Sequence, residues 1–399
     1  MIKVAKSDIA IFGGGIAGLW LLNQIEKLGL SVILLEENTL GGGQTHKAQG
    51  IIHGGIKYAL QGSQTSASQF IAEMPALWQQ CLTGKGEIDL SNVPITSPCQ
   101  YLFSTNKFTG KLAGFFAGLA LQGKVDTLAP EEFPEVFQHK KFKGVVYALK
   151  EIAIDVSALL RELTQHKKNI FKINSLVDSQ LQLDTAKHLK PIFVSAANGD
   201  GVYVEAQKYI FTAGIGNEAL RPIEKPNIVG MQRRPLHMVL VKTEFSFPVF
   251  AHCLGVSAVP RITITTHKAN DGKYVWYLGG QLAEEGVHRS AQKQIEFTKK
   301  ELNILFPWLD FSNACFASFL VDRAEPLQSD GKRPDSCFLQ ELNNVIVGWP
   351  TKLALAPKLS QEIIATLLRS HLKPHSLDTQ AMSSFSQPRI ARPIWDALL

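Results

Sequence analysis

The chain has 399 residues, 45% hydrophobic and 19% charged, the balance of an ordinary globular protein, which excludes global disorder, a collagen and a coiled coil. At roughly 100–200 residues per domain this length means two or three domains, or one elaborate one. The formal net charge is 41 − 35 = +6, too mild in a chain of this size to argue by itself for nucleic acid. Five cysteines, at 81, 99, 253, 315 and 337, lie far apart with no CxxC pair. Neither a zinc centre nor a disulfide framework is therefore expected, no metal is assigned, and a reducing cytoplasm is the simplest setting. The basic start (Lys3, Lys6) and the apolar residues after it have the outline of a signal peptide, but Gly13, Gly14 and Gly15 interrupt the run and no cleavage site spares them. No apolar stretch reaches the roughly 18 residues of a spanning helix.

Residues 7–12 are a short apolar run and read as a buried parallel strand. Glycines follow at once. Residues 16–28 then place Ile16, Leu19, Trp20, Ile25 and Leu28 at helical spacing, and Gly29 closes the segment. Residues 31–36 are a second buried strand, so the chain opens as a βαβ unit and implies a parallel, doubly wound sheet. A second glycine cluster follows within 41–62, and 63–82 read as a helix. Short strands are expected at 100–103 and 145–149, and a helix at 155–168 with Asp155 near its start. Further strands fall near 170–177 and at 202–211, the latter ending on Thr212-Ala213-Gly214. Residues 236–282 alternate as antiparallel strands do, 273–278 among them. A helix at 291–305 stops before Pro307, a strand takes 345–348, and a last helix over about 357–371 has Pro357 in its first turn. The tail 373–399, with its prolines and serines, reads as wrapped or loose. Basic pairs such as Lys167-Lys168, Arg233-Arg234 and Lys299-Lys300 are scattered and read as solvated surface.

Gly13-x-Gly15-x-x-Gly18 sits between strand and helix, the context that a dinucleotide motif requires. Gly13 allows the tight turn, Gly15 lets the backbone approach a pyrophosphate, and Gly18 lets the helix pack closely on the strand. The helix N-terminus supplies N–H groups and a positive dipole end. Glu36 ends the second strand where an acid accepts from a ribose hydroxyl; Glu37 is adjacent but points to the other face. Three features select FAD over NAD. Residues 39–55 form a long, polar, glycine-rich loop. Thr212-Ala213-Gly214 ends a strand where backbone passes close to a ligand. Gly348-Trp-Pro-Thr351-Lys352-Leu353 precedes the last helix, whose N-terminus would favour negative charge on a flavin pyrimidine.

On these residues the chain resembles the D-amino-acid-oxidase superfamily of FAD-dependent oxidoreductases, over most of that fold. Gly50-Ile-Ile52-His53-Gly54-Gly-Ile-Lys57-Tyr58 resembles the Gly-x-x-His-Gly-Gly-x-(Arg/Lys)-Tyr segment of FAD glycerol-3-phosphate dehydrogenases and is similar to that of L-2-hydroxyglutarate dehydrogenases. Pro235-Leu-His237-Met-Val-Leu-Val resembles the segment with a substrate-side histidine in the glycerol-phosphate enzymes. Arg323-Ala-Glu-Pro326 is similar to their Arg-Pro turn with two residues between, and Thr351-Lys352-Leu353 resembles their Gly-Lys-Leu-Thr loop with Pro350 and Thr351 in place of the usual glycines. The resemblance implies an α/β architecture: a Rossmann-like FAD-binding domain from 1–74, 151–220 and 320–372, a mainly antiparallel-sheet substrate domain from 75–150 and 221–319, and the tail 373–399. Contacts to FAD are expected at Gly13, Gly15, Ile16, Ala17, Gly18, Glu36, Glu37, Gly42, Gly43, Gln44, Thr45, Gly50, Ile52, His53, Gly54, Val177, Ala213, Gly214, Arg323, Gly348, Thr351, Lys352 and Leu353.

Flavin dehydrogenation of an alcohol or amine needs a C–H facing flavin N5, a base for the O–H or N–H proton, and positive charge to hold a substrate anion. His237 is the candidate base, since an ordinary imidazole pKa of about 6.5 suits the role; a hydrogen-bonded histidine on a strand is the equal alternative. His53 is expected to border the flavin, binding substrate, attaching the flavin covalently, or serving only the loop's conformation. His46 is a weaker candidate of the same kind. Lys57 and Arg323 are the candidate anion clamps, with a structural salt bridge as the alternative for Arg323. Lys352 is placed to stabilise anionic reduced flavin. Tyr58, Tyr101, Trp276 and Tyr277 read as packing residues. The expected reaction is hydride transfer to FAD from a small anionic hydroxy compound such as a 2-hydroxy acid or glycerol 3-phosphate. An amine or amino-acid oxidase of the same superfamily, an FAD-dependent RNA-modification factor and a flavin protein without turnover are the alternatives. No basic, aromatic-interleaved run supports RNA. The electron acceptor (oxygen, quinone or carrier), the oligomeric state and a peripheral membrane contact through the basic, Trp395-bearing tail stay open.

Overall fold

The computed structural model describes residues 3–54, 66–105, 125–174, 176, 181–220, 228–254, 259–331, 334 and 336–399. Strand β1 (Val4–Phe12) is buried continuously from Ser7 onward, because both faces of a parallel sheet are covered and no polar alternation survives. Helix α1 (Ile16–Lys27) buries Leu19, Trp20, Leu22 and Ile25. It ends at Gly29, whose φ of +71° is the left-handed turn that glycine adopts freely. Strand β2 (Val32–Glu36) returns parallel to β1, with Phe12 opposite Leu35.

The chain continues through α2 (Ser66–Leu82), β3 (Ile95–Ser97), β4 (Gln100–Ser104), β5 (Val125–Thr127), β6 (Val145–Leu149), β7 (Ala153–Ile154), α3 (Val156–Thr164), β8 (Ile170–Lys172), β9 (Ile192–Ser195) and β10 (Gly201–Phe211). It then runs through β11 (Met231–Thr243), β12 (Ala251–Cys253), β13 (Ile262–Lys268), β14 (Tyr274–Gly279), α4 (Gln281–Glu285), α5 (Ala291–Leu305), β15 (Cys315–Pro326), β16 (Phe338–Leu342), β17 (Val345–Trp349), α6 (Ala356–Arg369) and α7 (Ile394–Leu398). Asp155 caps α3, its side chain accepting the Ala158 N–H.

Two large sheets result. The first has the order β16-β17-β10-β1-β2-β8, with β9 added on β10. Its central strands are parallel, and β1 lies between β10 and β2. From β1 the chain builds outward through β2 and β8 on one side and through β10 and β17 on the other. The reversal puts a switch point between the carboxyl ends of β1 and β10, the place where such sheets bind ligands. Helices α1, α3 and α6 pack over one face through Leu19, Ile25, Leu159, Leu163, Leu359 and Ile363.

The second sheet has the order β15-β11-β14-β13-β12-β4-β6-β5 and is antiparallel except where β12 meets β4. Helix α5 covers one face, where Val239, Val241, Trp276 and Leu278 meet Leu302 and Leu305. The other face carries Met238, Leu240, Tyr277 and Val321, and Trp395 of the tail packs there.

Several boundaries differ from the sequence reading. The strand β15 pairs with β11 along its whole length, from Met231 opposite Pro326 to Lys242 opposite Cys315, so residues 320–326 lie in the second sheet and not in the first. Helix α3 ends at Thr164 and strand β8 at Lys172, each short of the expected end. The tail is wrapped: Lys6 bridges Asp378, Leu40 bridges Ile390, and Trp395 is buried. Among the described residues no helix is long and apolar enough to cross a membrane.

Candidate active site

At the switch point the backbone of Gly13 lies against the end of β10. A Cβ on Gly13, whose φ is +109°, would stand 2.5 Å from Ala213 Cα, and one on Gly18 would stand 2.0 Å from the Gly13 carbonyl oxygen. Neither position has room for a side chain. Gly15 differs, since a Cβ there would meet only Thr45 Oγ1 at 3.3 Å. Helix α1 begins at this residue without a side-chain cap. Thr45 Oγ1 accepts the Ile16 N–H at 3.0 Å, and the dipole end of α1, at Ala17 and Gly18, faces the same turn. Glu36 closes the pocket from β2: Oε2 accepts the Gly14 N–H at 2.6 Å and Oε1 accepts the Asn38 N–H at 2.8 Å. Burial raises the Glu36 carboxyl above its ordinary value against those bonds. Glu37 is exposed. Open backbone over Gly15, a helix N-terminus and a half-buried acid fit the diphosphate and ribose of a dinucleotide.

From this pocket residues 41–54 cross the second sheet. Gln44 Oε1 accepts the Ala324 N–H of β15 at 3.0 Å. Tyr277 Oη donates to the Lys47 carbonyl at 2.7 Å, and Gln49 Nε2 donates to the Tyr277 carbonyl at 2.7 Å. Ile52 N–H donates to the Ile152 carbonyl at 2.8 Å. Gly50, at φ +74°, presses against Ile154. Gly42 packs on Thr39, while a Cβ on Gly43 would meet nothing within 4 Å. On the opposite rim the Ala213 N–H donates to Asn217 Oδ1 at 2.8 Å, and Trp349 Nε1 donates to the Gly214 carbonyl at 3.1 Å. Gly348 closes the same rim, its carbonyl 3.4 Å from Asn217 Nδ2. Thr351 holds φ +57°, a conformation that costs a β-branched residue about 1–3 kcal/mol, at the position where the resemblance expects glycine. Its hydroxyl donates to the Ser336 carbonyl at 3.0 Å. Lys352 and Leu353 then lead into α6. Lys57, Tyr58 and Val177 lie outside the described residues.

His237 does not face this loop. On β11 its neighbour Met238 shares a face with Gln49, since a Cβ on Gly279 would meet both, so strand alternation sends His237 to the α5 side. There its Nδ1 lies 2.9 Å from the Gly286 carbonyl and its Nε2 lies 3.0 Å from Ser318 Oγ. A carbonyl can only accept, so Nδ1 carries the proton and Nε2 accepts from the serine. These bonds are those of the hydrogen-bonded strand histidine, the alternative that the sequence holds equal to a catalytic base. His46 is buried as well, and burial lowers its pKa.

Arg323 does face the loop side, next to Gln44. Its Nε donates to the Arg234 carbonyl at 3.1 Å and its Nη1 meets Glu284 at 3.4 Å. Burial and the neighbouring Arg234 guanidinium both lower its pKa. Arg234, by contrast, grips the fully buried Glu325 twice, at 2.7 and 3.1 Å. Arg323 is thus the less neutralised of two adjacent guanidinium groups.

His53 has a partner that the sequence reading missed. Its Nδ1 lies 3.1 Å from Glu151 Oε2, while Oε1 of the same carboxylate accepts the Gly54 N–H at 2.8 Å. Glu151 is 2% exposed against 28% for the His53 side chain. His252 of β12 stacks near His53, with ring centroids 6.2 Å apart. No local pattern marks Glu151 or His252; only the fold brings them to His53.

A doubly wound sheet with a glycine cradle at its switch point, joined to an antiparallel sheet that a glycine-rich loop crosses, defines a dinucleotide-dependent oxidoreductase. The chain belongs to the FAD dependent oxidoreductase (DAO) family, whose model matches residues 8–327, and FAD is its cofactor. It is 43% identical over 400 residues to the probable FAD-dependent oxidoreductase PA4991 of Pseudomonas aeruginosa, covering 99% of each chain. The crystal structure of that protein superimposes with a TM-score of 0.83 at 39% identity, covering 100% of this chain and 99% of the other. The L-alpha-glycerophosphate oxidase of Mycoplasma pneumoniae shares the fold (TM-score 0.64, 16% identity, 93% and 96% of the two chains). So does the glycine oxidase of Geobacillus kaustophilus (TM-score 0.60, 15% identity, 98% and 100%).

Proposed function

We propose that the chain oxidises a small anionic hydroxy compound, such as a 2-hydroxy acid or glycerol 3-phosphate, and that His53 takes the hydroxyl proton. The observation that carries this reading is the His53–Glu151 pair beside the flavin loop. An alcohol O–H is far less acidic than the ammonium group that an amine substrate sheds before oxidation, so alcohol oxidation depends on a positioned base. Glu151, buried and fixed by the Gly54 N–H, accepts from Nδ1, orients the ring and stabilises the imidazolium that forms. Nε2 is then the atom that receives the proton. Arg323, incompletely neutralised by Glu284 at 3.4 Å, supplies the positive charge that a carboxylate or phosphate answers. Bound FAD supplies the hydride acceptor. Gly13, Gly15, Glu36, Thr45 and Ala213 would hold its dinucleotide part, with Lys352 at the α6 approach.

The test is anaerobic. FAD-loaded protein is mixed with a panel of 2-hydroxy acids, glycerol 3-phosphate and amino acids, and flavin absorbance is followed. Bleaching by a hydroxy compound is expected, slowed by about 10²–10⁴ in His53→Ala. Bleaching by an amino acid alone would move the reading to amine oxidation, and bleaching by no member of the panel would overturn it.

A further inference from the structure

Three residues far apart in sequence meet next to the flavin loop. His53 follows the Gly50 turn, Glu151 lies between β6 and β7, and His252 is the middle residue of β12. Each offers one donor atom, and the three atoms lie within 4.8 Å of one another. We propose that His53, Glu151 and His252 hold a divalent transition-metal ion of the zinc type. The chemistry of the donor set points this way. Two imidazoles and a carboxylate are the ligands of open, three-residue zinc sites, which keep a fourth position for water or substrate. Cysteine spacing, the usual sequence signal for zinc, has no part in it.

The surroundings fit as well. His252 is fully buried and its Nδ1 lies 2.9 Å from Thr263 Oγ1. A threonine hydroxyl that accepts from Nδ1 fixes the tautomer that presents Nε2 as a ligand. The Gly54 N–H holds Glu151 by the other carboxylate oxygen. Metal–ligand distances of about 2.0–2.2 Å put tetrahedral donors about 3.3–3.6 Å apart. The present spread therefore closes by about one ångström, within the reach of a rotation of the partly exposed His53 ring, which is also the entry path. An ion there would occupy His53 and block its use as a base. That consequence rests on the function proposed above; binding itself does not.

FAD-loaded protein dialysed to equilibrium against micromolar zinc chloride is expected to retain one zinc per chain by elemental analysis. The affinity is expected to fall at least about tenfold in His53→Ala, Glu151→Gln and His252→Gln, with flavin absorbance and melting temperature reporting that each variant is folded. His53 is partly exposed, so its variant decides the matter if a buried substitution fails to fold. Absence of stoichiometric zinc, or unchanged affinity in any folded variant of the three, overturns the proposal. Neither result depends on finding a substrate.

Discussion

Replacing His237 by alanine separates structure from catalysis at the strand where a family-like motif points to a base. The ring is 3% exposed and is held by the Gly286 carbonyl and Ser318 Oγ at 2.9 and 3.0 Å. Truncation removes both bonds, while the Gly286 carbonyl keeps the Arg289 N–H at 2.9 Å. Each lost bond costs about 1 kcal/mol net. The cavity left by the ring adds to this, although serine and neighbouring side chains relax into part of it. A loss of about 2–4 kcal/mol is expected. Urea unfolding of the FAD-loaded protein, followed by circular dichroism, should show a lower midpoint at unchanged slope. The flavin-reduction rate of the folded variant should stay within a few-fold of the parent. A variant as stable as the parent but slowed by about a hundredfold or more would restore His237 as the base and refute the placement argued from strand alternation.

The glycine cradle makes a paired prediction: Gly18→Ala, with its Cβ 2.0 Å from the Gly13 oxygen, should yield no folded flavoprotein, whereas Gly15→Ala meets only Thr45 Oγ1 at 3.3 Å and should fold but retain less FAD by absorbance ratio. Equal FAD retention in Gly15→Ala would count against backbone approach at that residue. Arg234→Ala leaves the fully buried Glu325 carboxylate without its guanidinium and should cost about 3–5 kcal/mol by denaturant midpoint, with much of it recovered when Glu325→Gln is added. His267, fully buried and stacked 4.1 Å from Trp395, has its pKa lowered to about 3 by burial, while the unfolded chain takes up that proton near pH 6.5. Its contribution is therefore complete above about pH 6.5 and is lost as pH falls toward 3, by about 2 kcal/mol at pH 5; a pH 5 to pH 7 difference in midpoint no smaller in His267→Asn would exclude it.

What was legible in the sequence was local. The β1–α1–β2 unit announces itself through two continuous apolar strands and glycines whose spacing answers to one turn, and Gly13, Gly18 and Glu36 fall where that spacing puts them. Strand β15 was not legible. Half of its residues are half-exposed and its buried ones gather at one end, so it lacks both the apolar run of a parallel strand and a clean alternation. Its order comes from pairing with β11, far back along the chain. Glu151 is silent for the same reason: the bond to His53 spans 98 positions, and a lone glutamate after a lysine carries no pattern of its own.

The two sheet-borne candidates show where local reading stops. A motif match places His237 on a strand, but a strand has two faces, and a shift of one residue exchanges them. The face is settled by partners. A Cβ on Gly279 would meet both Met238 and Gln49 of the flavin loop, so Met238 lies on the loop's face, and every second residue back along β11 shares that face, through Leu236 to Arg234. Arg234 stands opposite Arg323 in the β11–β15 register, as Met238 stands opposite Phe319. The same register that removes His237 from the loop therefore delivers Arg323 to it, so one alternation argument decides both residues. It also makes their tests dependent: if His237→Ala behaves as a catalytic lesion, the side assigned to Arg323 falls with it.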